Sequence, residues 1–309
     1  MRRVDPARSG ADHGAGVVVT SVTSRTARGD TTPAGVATDA KTGATGAVSG
    51  APANDAGAWY DPVAALYDAA FEDIGVRADE CRWLDARLAT LRARRPRVLD
   101  VGCGNGALLG RWAGRIGLGI GVDVSPAMIA RARARARARV QDAGGPARRD
   151  GAGNLAFLTI AGGGSRSAAV TEPRLPFPRA SFDAVVSLLS FRYLDWEPMT
   201  REVQRVLAPG GRLLVVDMVR APLAFAELPR LVRDELRNAW ARARDQRFRA
   251  ALRRLVVTPA WKSMVRANPL RSADAMSTLL CQRFPRGRFE TLNIGRRARV
   301  VAFDSGPVP

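Results

Sequence analysis

The sequence predicts an α/β fold, a mostly parallel and buried sheet with helices on both faces. Three observations carry this reading. From Pro96 onward, short apolar runs alternate with helical patterns, as strand–crossover–strand units do. The strand-like runs are short and rich in Val and Leu, which suits a sheet covered on both sides. A glycine-rich turn, "DVGCGNG", joins the first strand to the helix behind it, where open α/β sheets bind ligands.

The elements follow in order. Residues 1–57 are rich in Gly, Ala, Thr and Ser without apolar periodicity, and a disordered tail is expected there. In "WYDPVAALYDAAFEDIG", Tyr60, Ala64, Tyr67 and Phe71 recur at helical spacing, and a second helix is expected over 79–94. Strands are expected at 97–101, 118–124, 155–160, 182–188 and 212–218, with helices at 107–115, 126–142 and 198–207. Residues 220–290 read as mainly helical and hold sixteen basic against six acidic residues. The runs "FETLNIG" and "RARVVAFDSG" close the chain as a strand pair at the sheet edge. The folded domain is therefore expected over 58–309. Its parts are N-terminal helices at 58–95, a core at 96–219, a basic helical cap at 220–289 and closing strands at 289–306.

Composition narrows the function classes. The net charge is +19, which suggests a polyanionic partner, yet only Lys41 and Lys262 are lysine. That bias, with abundant Ala, Gly and Pro, also fits GC-rich coding. Cys81, Cys103 and Cys281 are too widely spaced for a disulfide framework or a zinc site. The single histidine, His13, lies in the expected tail, which argues against histidine catalysis and metal ligation. No apolar run reaches the roughly 18–20 residues that cross a bilayer, and no apolar stretch follows Arg2 and Arg3. A cytoplasmic location is expected. The run "IARARARARARV" is expected to be a helix, with Met128, Ile129, Ala132, Ala136 and Val140 toward the sheet, Arg131, Arg133, Arg135 and Arg137 on a solvated flank, and Arg139 intruding on the sheet-facing arc and snorkelling.

The chemistry concentrates in the glycine turn. Gly102, Gly104 and Gly106 permit a sharp bend and a close ligand approach. Asp123 ends the second strand, where a carboxylate can accept both hydroxyls of a ribose. The same residues satisfy the GxGxxG/A dinucleotide fingerprint, so a nicotinamide cofactor stays open on the turn alone. Asp100 two positions before the first glycine, and the lack of any Tyr followed four residues later by Lys, weigh against it.

Five blocks in order then match one family: Asp100 to Gly106, "GVDVSPAM" at 121–128, "LPF" at 175–177, "SFDAVV" at 181–186 and "LAPGG" at 207–211. On these residues, 97–218 resembles the class I S-adenosylmethionine-dependent methyltransferases. It looks most like the small-molecule group that includes ubiquinone/menaquinone-biosynthesis and carrier-protein methyltransferases. The resemblance implies a Rossmann-like sheet of seven strands, mostly parallel with an antiparallel last strand, and a helical insertion after the fifth. It implies S-adenosyl-L-methionine as cofactor, held by Asp100, Gly102, Cys103, Gly104, Gly106, Asp123, Val124, Met128 and Leu189. Relatives usually carry an adenine-binding acid after the third strand. Here that place is long and glycine-rich, which leaves two alternatives, Glu172 as a substitute or no such contact.

The expected activity is in-line methyl transfer, mainly by positioning, to oxygen or carbon of an anionic acceptor that is a small molecule or carrier-linked. Tyr60, Tyr67, Phe191, Arg192 and Tyr193 are the candidate pocket walls, with Arg192 able to hold an anion. An RNA methyltransferase remains a rival, disfavoured because "SLLSF" follows the fourth strand where base-flipping amino-methylating enzymes carry Asn/Asp-Pro-Pro-aromatic. A non-catalytic S-adenosylmethionine-binding protein is the other alternative.

Overall fold

The computed structural model describes residues 60–142, 153–160, 174–296 and 298–309. The expected tail over 1–57 lies outside them, as do Glu172 and most of the loop after the third strand. The sheet has seven strands: β1 (Arg97–Val101), β2 (Leu118–Asp123), β3 (Leu155–Thr159), β4 (Phe182–Leu188), β5 (Leu207–Arg220), β6 (Arg288–Ile294) and β7 (Ala298–Asp304). Their order is β3-β2-β1-β4-β5-β7-β6, parallel except for β7, which runs antiparallel to both neighbours. The reversal between β1 and β4 places a crevice at the carboxyl ends of those strands.

Period-two alternation sends neighbouring residues to opposite faces. Val98, Ala184, Val186, Leu214 and Val216 enter one core. It is completed by Trp83, Leu84 and Leu88 of α2 (Ala78–Leu88), Leu108, Leu109 and Trp112 of α3 (Ala107–Trp112), and Ile129 and Ala132 of α4 (Pro126–Asp142). Leu99, Val101, Val185, Leu213 and Val215 enter the other, against Met199, Val203 and Val206 of α5 (Trp196–Val206). Both faces are thus sealed, which is why the strands read as continuous apolar runs.

The 3-10 turn Asp61–Val63 leads into α1 (Ala64–Ala70). The insertion between β5 and β6 contains α6 (Leu228–Arg244), α7 (Gln246–Val256), α8 (Pro259–Ala267) and α9 (Ala273–Arg283). Two of its helices close over α1. Phe248 and Leu255 of α7 form a third core with Val63, Ala70 and Phe71, against which Trp261 of α8 packs. Met276, Leu280 and Phe284 of α9 and the residue after it instead join the α5 face.

Three boundaries differ from expectation by three residues or more. α2 ends at Leu88, because the Thr90 hydroxyl and N–H both donate to the Arg87 carbonyl and tighten the chain into a turn. α3 ends at Trp112, where the chain begins a turn toward Gly117, whose N–H donates to the Pro96 carbonyl at 3.0 Å. β5 starts at Leu207, which pairs with Phe182. A bulge follows, with Gly210 at φ +78°, and regular pairing resumes at Arg212.

The arginine run also differs. Met128, Ile129 and Ala132 are buried as expected, but the flanking arginines are not simply solvated. Helical spacing turns the alternation into rows. In one row, Arg131 and Arg135 reach Asp68 of α1 at 3.4 and 2.8 Å, while Arg139 lies across Gly110 of α3. From another row, Arg133 donates twice to the Phe157 carbonyl on β3. The run ties α1 and β3 to the core.

Candidate functional site

Between β1 and α3 the chain turns through Gly102, Gly104 and Gly106, at φ +75°, +52° and +71°, all in the left-handed region that excludes most side chains. The three glycines do different work. A Cβ on Gly102 would lie 2.4 Å from that of Ser190, and one on Gly106 would lie 2.7 Å from the Phe157 ring. A Cβ on Gly104 would meet nothing within 4 Å, so of the three only Gly104 faces open space.

The turn is held from three sides. Gly102 and Cys103 N–H donate to the Val122 carbonyl at 2.8 and 3.0 Å. The Ser190 hydroxyl, after β4, lies 3.1 Å from the carbonyls of Val101 and Gly102. Asn105 donates to Asp68 Oδ1 at 2.8 Å and accepts from Ala107 N–H at 3.2 Å. Leu189, beside Ser190, has φ +57°, a costly conformation for leucine, and its N–H donates to the Val216 carbonyl at 2.7 Å.

Two carboxylates end the central strands. Asp123 accepts from Gly104 N–H through Oδ2 at 2.8 Å and from Ser125 N–H through Oδ1 at 2.9 Å. Each oxygen retains a lone pair for an outer donor. Burial pushes its carboxyl above the usual range, against the pull of those N–H groups. Asp100 is 2% exposed, and its Oδ1 has no hydrogen-bond partner among the described residues. Burial, and then the charge of Asp123, push its carboxyl up to about 8. Such a group wants a cation or a donor.

Asp100, Gly102, Cys103, Gly104 and Leu188 line one side of a small cavity, and Tyr67, Phe71, Ile74 and Arg77 line the other. Cys103 is buried, and burial followed by the charges of Asp100 and Asp123 raises its thiol far above the thiolate range, so it is no nucleophile. Met128 is enclosed in α4, and its N–H donates to the Ser125 hydroxyl at 3.1 Å. Val124 is half-buried beside Asp123.

The pocket candidates separate. Tyr60, Tyr67 and Tyr193 meet edge to face, at 6.1 Å for Tyr60–Tyr67 and 5.7 Å for Tyr60–Tyr193. Phe191 is not with them. It is 1% exposed, stacks on Trp196 at 5.8 Å and belongs to the α5 core, so the aromatic pattern that suggested it was ordinary packing. Arg192 is present but engaged. It binds fully buried Asp217 at 2.6 Å and donates to the Tyr193 hydroxyl at 2.7 Å, so its charge is answered from within.

Several contributors were not anticipated. Asp61 accepts from the Ser125 hydroxyl and from Ala127 N–H, capping α4 beside Asp123. Asp68 gathers Asn105, Arg131 and Arg135. Arg77 donates to the Tyr67 hydroxyl at 3.0 Å and lies over the Phe71 ring.

A methyltransferase domain family model matches residues 99–215, a span running from β1 into β5 and enclosing both carboxylates. This segment is a methyltransferase domain. Two curated demethylmenaquinone methyltransferases are similar to part of the chain. The Thermus thermophilus protein is 49% identical over 49 residues, 16% of this chain and 22% of its own length. The Deinococcus radiodurans protein is 49% identical over 45 residues, 14% of this chain and 19% of its own length. The matched stretch thus spans about a fifth of each relative. Among solved structures, the [4+2]-cyclase SpnF is 20% identical with a TM-score of 0.49, covering 84% of this chain and all of that one.

The resemblance of the five sequence blocks implies S-adenosylmethionine, and the residues present fit it. An unpartnered buried carboxylate oxygen on Asp100 suits the methionine ammonium. The open face of Gly104 lets a ligand lie against the backbone, and the outward lone pairs of Asp123 suit a ribose diol. Among the described residues, no helix is long and apolar enough to cross a membrane.

Proposed function

We propose that this protein transfers the methyl group of S-adenosylmethionine to oxygen or carbon of a planar small-molecule or carrier-linked acceptor. The unpartnered Oδ1 of Asp100, placed beside the open Gly104 and the clamped Asp123, is the observation that carries the reading. The cofactor supplies an electrophilic methyl group when bound. This chain supplies position. Asp100 holds the ammonium, Asp123 holds the ribose, and the strained Leu189 and the Ser190 stitch fix the rim from which the acceptor approaches.

The acceptor meets Tyr60, Tyr67 and Tyr193, three phenols that offer ring faces and hydroxyls. Burial, then the neighbouring Tyr193, hold the Tyr60 hydroxyl far above its usual range, so at neutral pH it donates a hydrogen bond and does not serve as a base. The acceptor therefore brings its own nucleophile, a carboxylate, phenolate or enolate that needs little activation. An anionic acceptor is stabilised here by phenol donors, since Asp217 already answers Arg192. Demethylmenaquinone, after which the two curated relatives are named, is in keeping with an aromatic pocket.

Calorimetric titration of wild type and Asp123→Ala with S-adenosylmethionine tests the cofactor site. Mass spectrometry of phenols, quinols and carboxylates incubated with the cofactor tests the transfer. Undiminished binding by Asp123→Ala would overturn the site, and cofactor binding with no methylated product across all three classes would overturn the acceptor assignment.

A further inference from the structure

The cap contains a helix with apolar residues on both of its sides, since Leu231 faces inward while others face water. On the inner side of α6, Asp234 is 1% exposed, accepts from Ile294 N–H and lies near Arg230, Arg233 and Arg237. On the outer side, Leu228, Val232 and Leu236 follow one another at i, i+4 and i+8 and are 36%, 57% and 60% exposed. Phe225, just before the helix, is 88% exposed. A soluble helix normally hides its apolar stripe and shows its acids to water. Leu231 keeps that rule at 7% exposed, but a second apolar row on the same helix meets water.

The next helix adds charge. Phe248 and Leu255 of α7 turn inward, which leaves Arg247, Arg249, Arg253 and Arg254 outward and exposed. Among the described residues, none of these four is in an ion pair. Val257, at the end of α7, is 62% exposed, and Val265 of α8 is 43% exposed. Over 225–267 the sequence has eleven basic and four acidic residues, and one of those acids is the buried Asp234. The helices α6 and α7 are consecutive and touch each other.

We propose that the outer face of α6 and α7 docks this protein onto the surface of an anionic lipid bilayer. Val232 and Leu236 enter the acyl boundary while the arginines of α7 meet the headgroups. Charge complementarity selects this occupant. A second copy would bring the same excess of arginine and repel. Nucleic acid would satisfy the arginines but leave Phe225, Val232 and Leu236 in water. An anionic bilayer answers both features.

The test uses the full chain, co-sedimented with phosphatidylcholine vesicles and with equal mixtures of phosphatidylcholine and phosphatidylglycerol. Wild type is expected to pellet with the mixed vesicles only. Changing Arg247, Arg249, Arg253 and Arg254 together to Gln should weaken that binding about 100-fold. The double variant Val232→Asp/Leu236→Asp should weaken it about 10-fold or more. Both variants should keep the wild-type melting temperature and affinity for S-adenosylmethionine, because neither touches the cofactor site. Absence of wild-type binding to the mixed vesicles overturns the proposal. So does a Val232→Asp/Leu236→Asp protein that binds them as wild type does, since attraction would then be charge alone, as expected of a nucleic-acid surface.

Discussion

Replacing Asp100 by Asn should stabilise the ligand-free protein while weakening its grip on the cofactor. Asp100 is fully buried, and burial reinforced by Asp123 moves its carboxyl from 3.8 to about 8. The folded state therefore holds a proton that the unfolded chain has lost, across the window from 3.8 to about 8. Stability contributed by this group is complete below that window, falls as pH rises through it and is gone above it. Moving the carboxyl from 3.8 to about 8 corresponds to roughly 5–6 kcal/mol, at about 1.4 kcal/mol for each tenfold change in acidity. Asp100→Asn keeps the shape and removes the titration. Its melting temperature should match wild type near about pH 4 and exceed it by roughly 10 °C above pH 8.

Cofactor binding reports the same group from the other side. At neutral pH the ligand-free carboxyl is mostly protonated, and pairing with the methionine ammonium needs it ionised. Binding should release about one proton, measurable by calorimetry in two buffers of different ionisation enthalpy. Asp100→Asn should release none and bind about 10- to 100-fold more weakly. A wild-type to Asp100→Asn difference in melting temperature that does not widen with pH would refute the reasoning. Buffer-independent binding heats for wild type would do the same.

Three further outcomes follow from the geometry. Gly104→Ala should melt within a few degrees of wild type but lose cofactor affinity, whereas Gly106→Ala, with its Cβ 2.7 Å from the Phe157 ring, should lower the melting temperature sharply. Arg192→Leu leaves Asp217 buried without its counter-charge and should cost about 3–5 kcal/mol in urea unfolding, much of it recovered in Arg192→Leu/Asp217→Leu. Asp68→Asn releases Arg131 and Arg135, so limited proteolysis should cut within α1 faster while the melting temperature of the sheet changes little.

The sheet was legible because both its faces are buried, which writes each strand as an apolar run between turns. The runs at 97–101 and 182–188 have the same ends in sequence and structure. The glycine turn was legible because a left-handed backbone leaves glycine in the sequence. Contacts across long separations left no such trace. Nothing in "LYDAAF" marks Asp68 as the partner of arginines 63 and 67 positions away. Asp217 carried a readable signal, since a lone acid within the apolar run 213–218 must find a counter-charge, and Arg192 was then the arginine to pair with it. Phe191 misled because an aromatic after a strand's end looks the same whether it faces a pocket or a core. In α6 the wheel separates Asp234 from Leu236, but only packing says which of the two is inside.

One ring has a reach beyond its own strand. Phe157 on β3 fills the space that Gly106 and Gly121 forgo, where added methyl groups would sit 2.7 and 2.6 Å from it. These three positions, one from the turn after β1 and two from the paired strands β2 and β3, are a single unit of inheritance. A lineage cannot enlarge either glycine while the phenylalanine stays, and shrinking the phenylalanine first would hollow the core beneath the cofactor turn. Descendants should therefore keep all three or exchange them together. The shape of the turn that receives the cofactor is guarded by a residue with no direct stake in the chemistry.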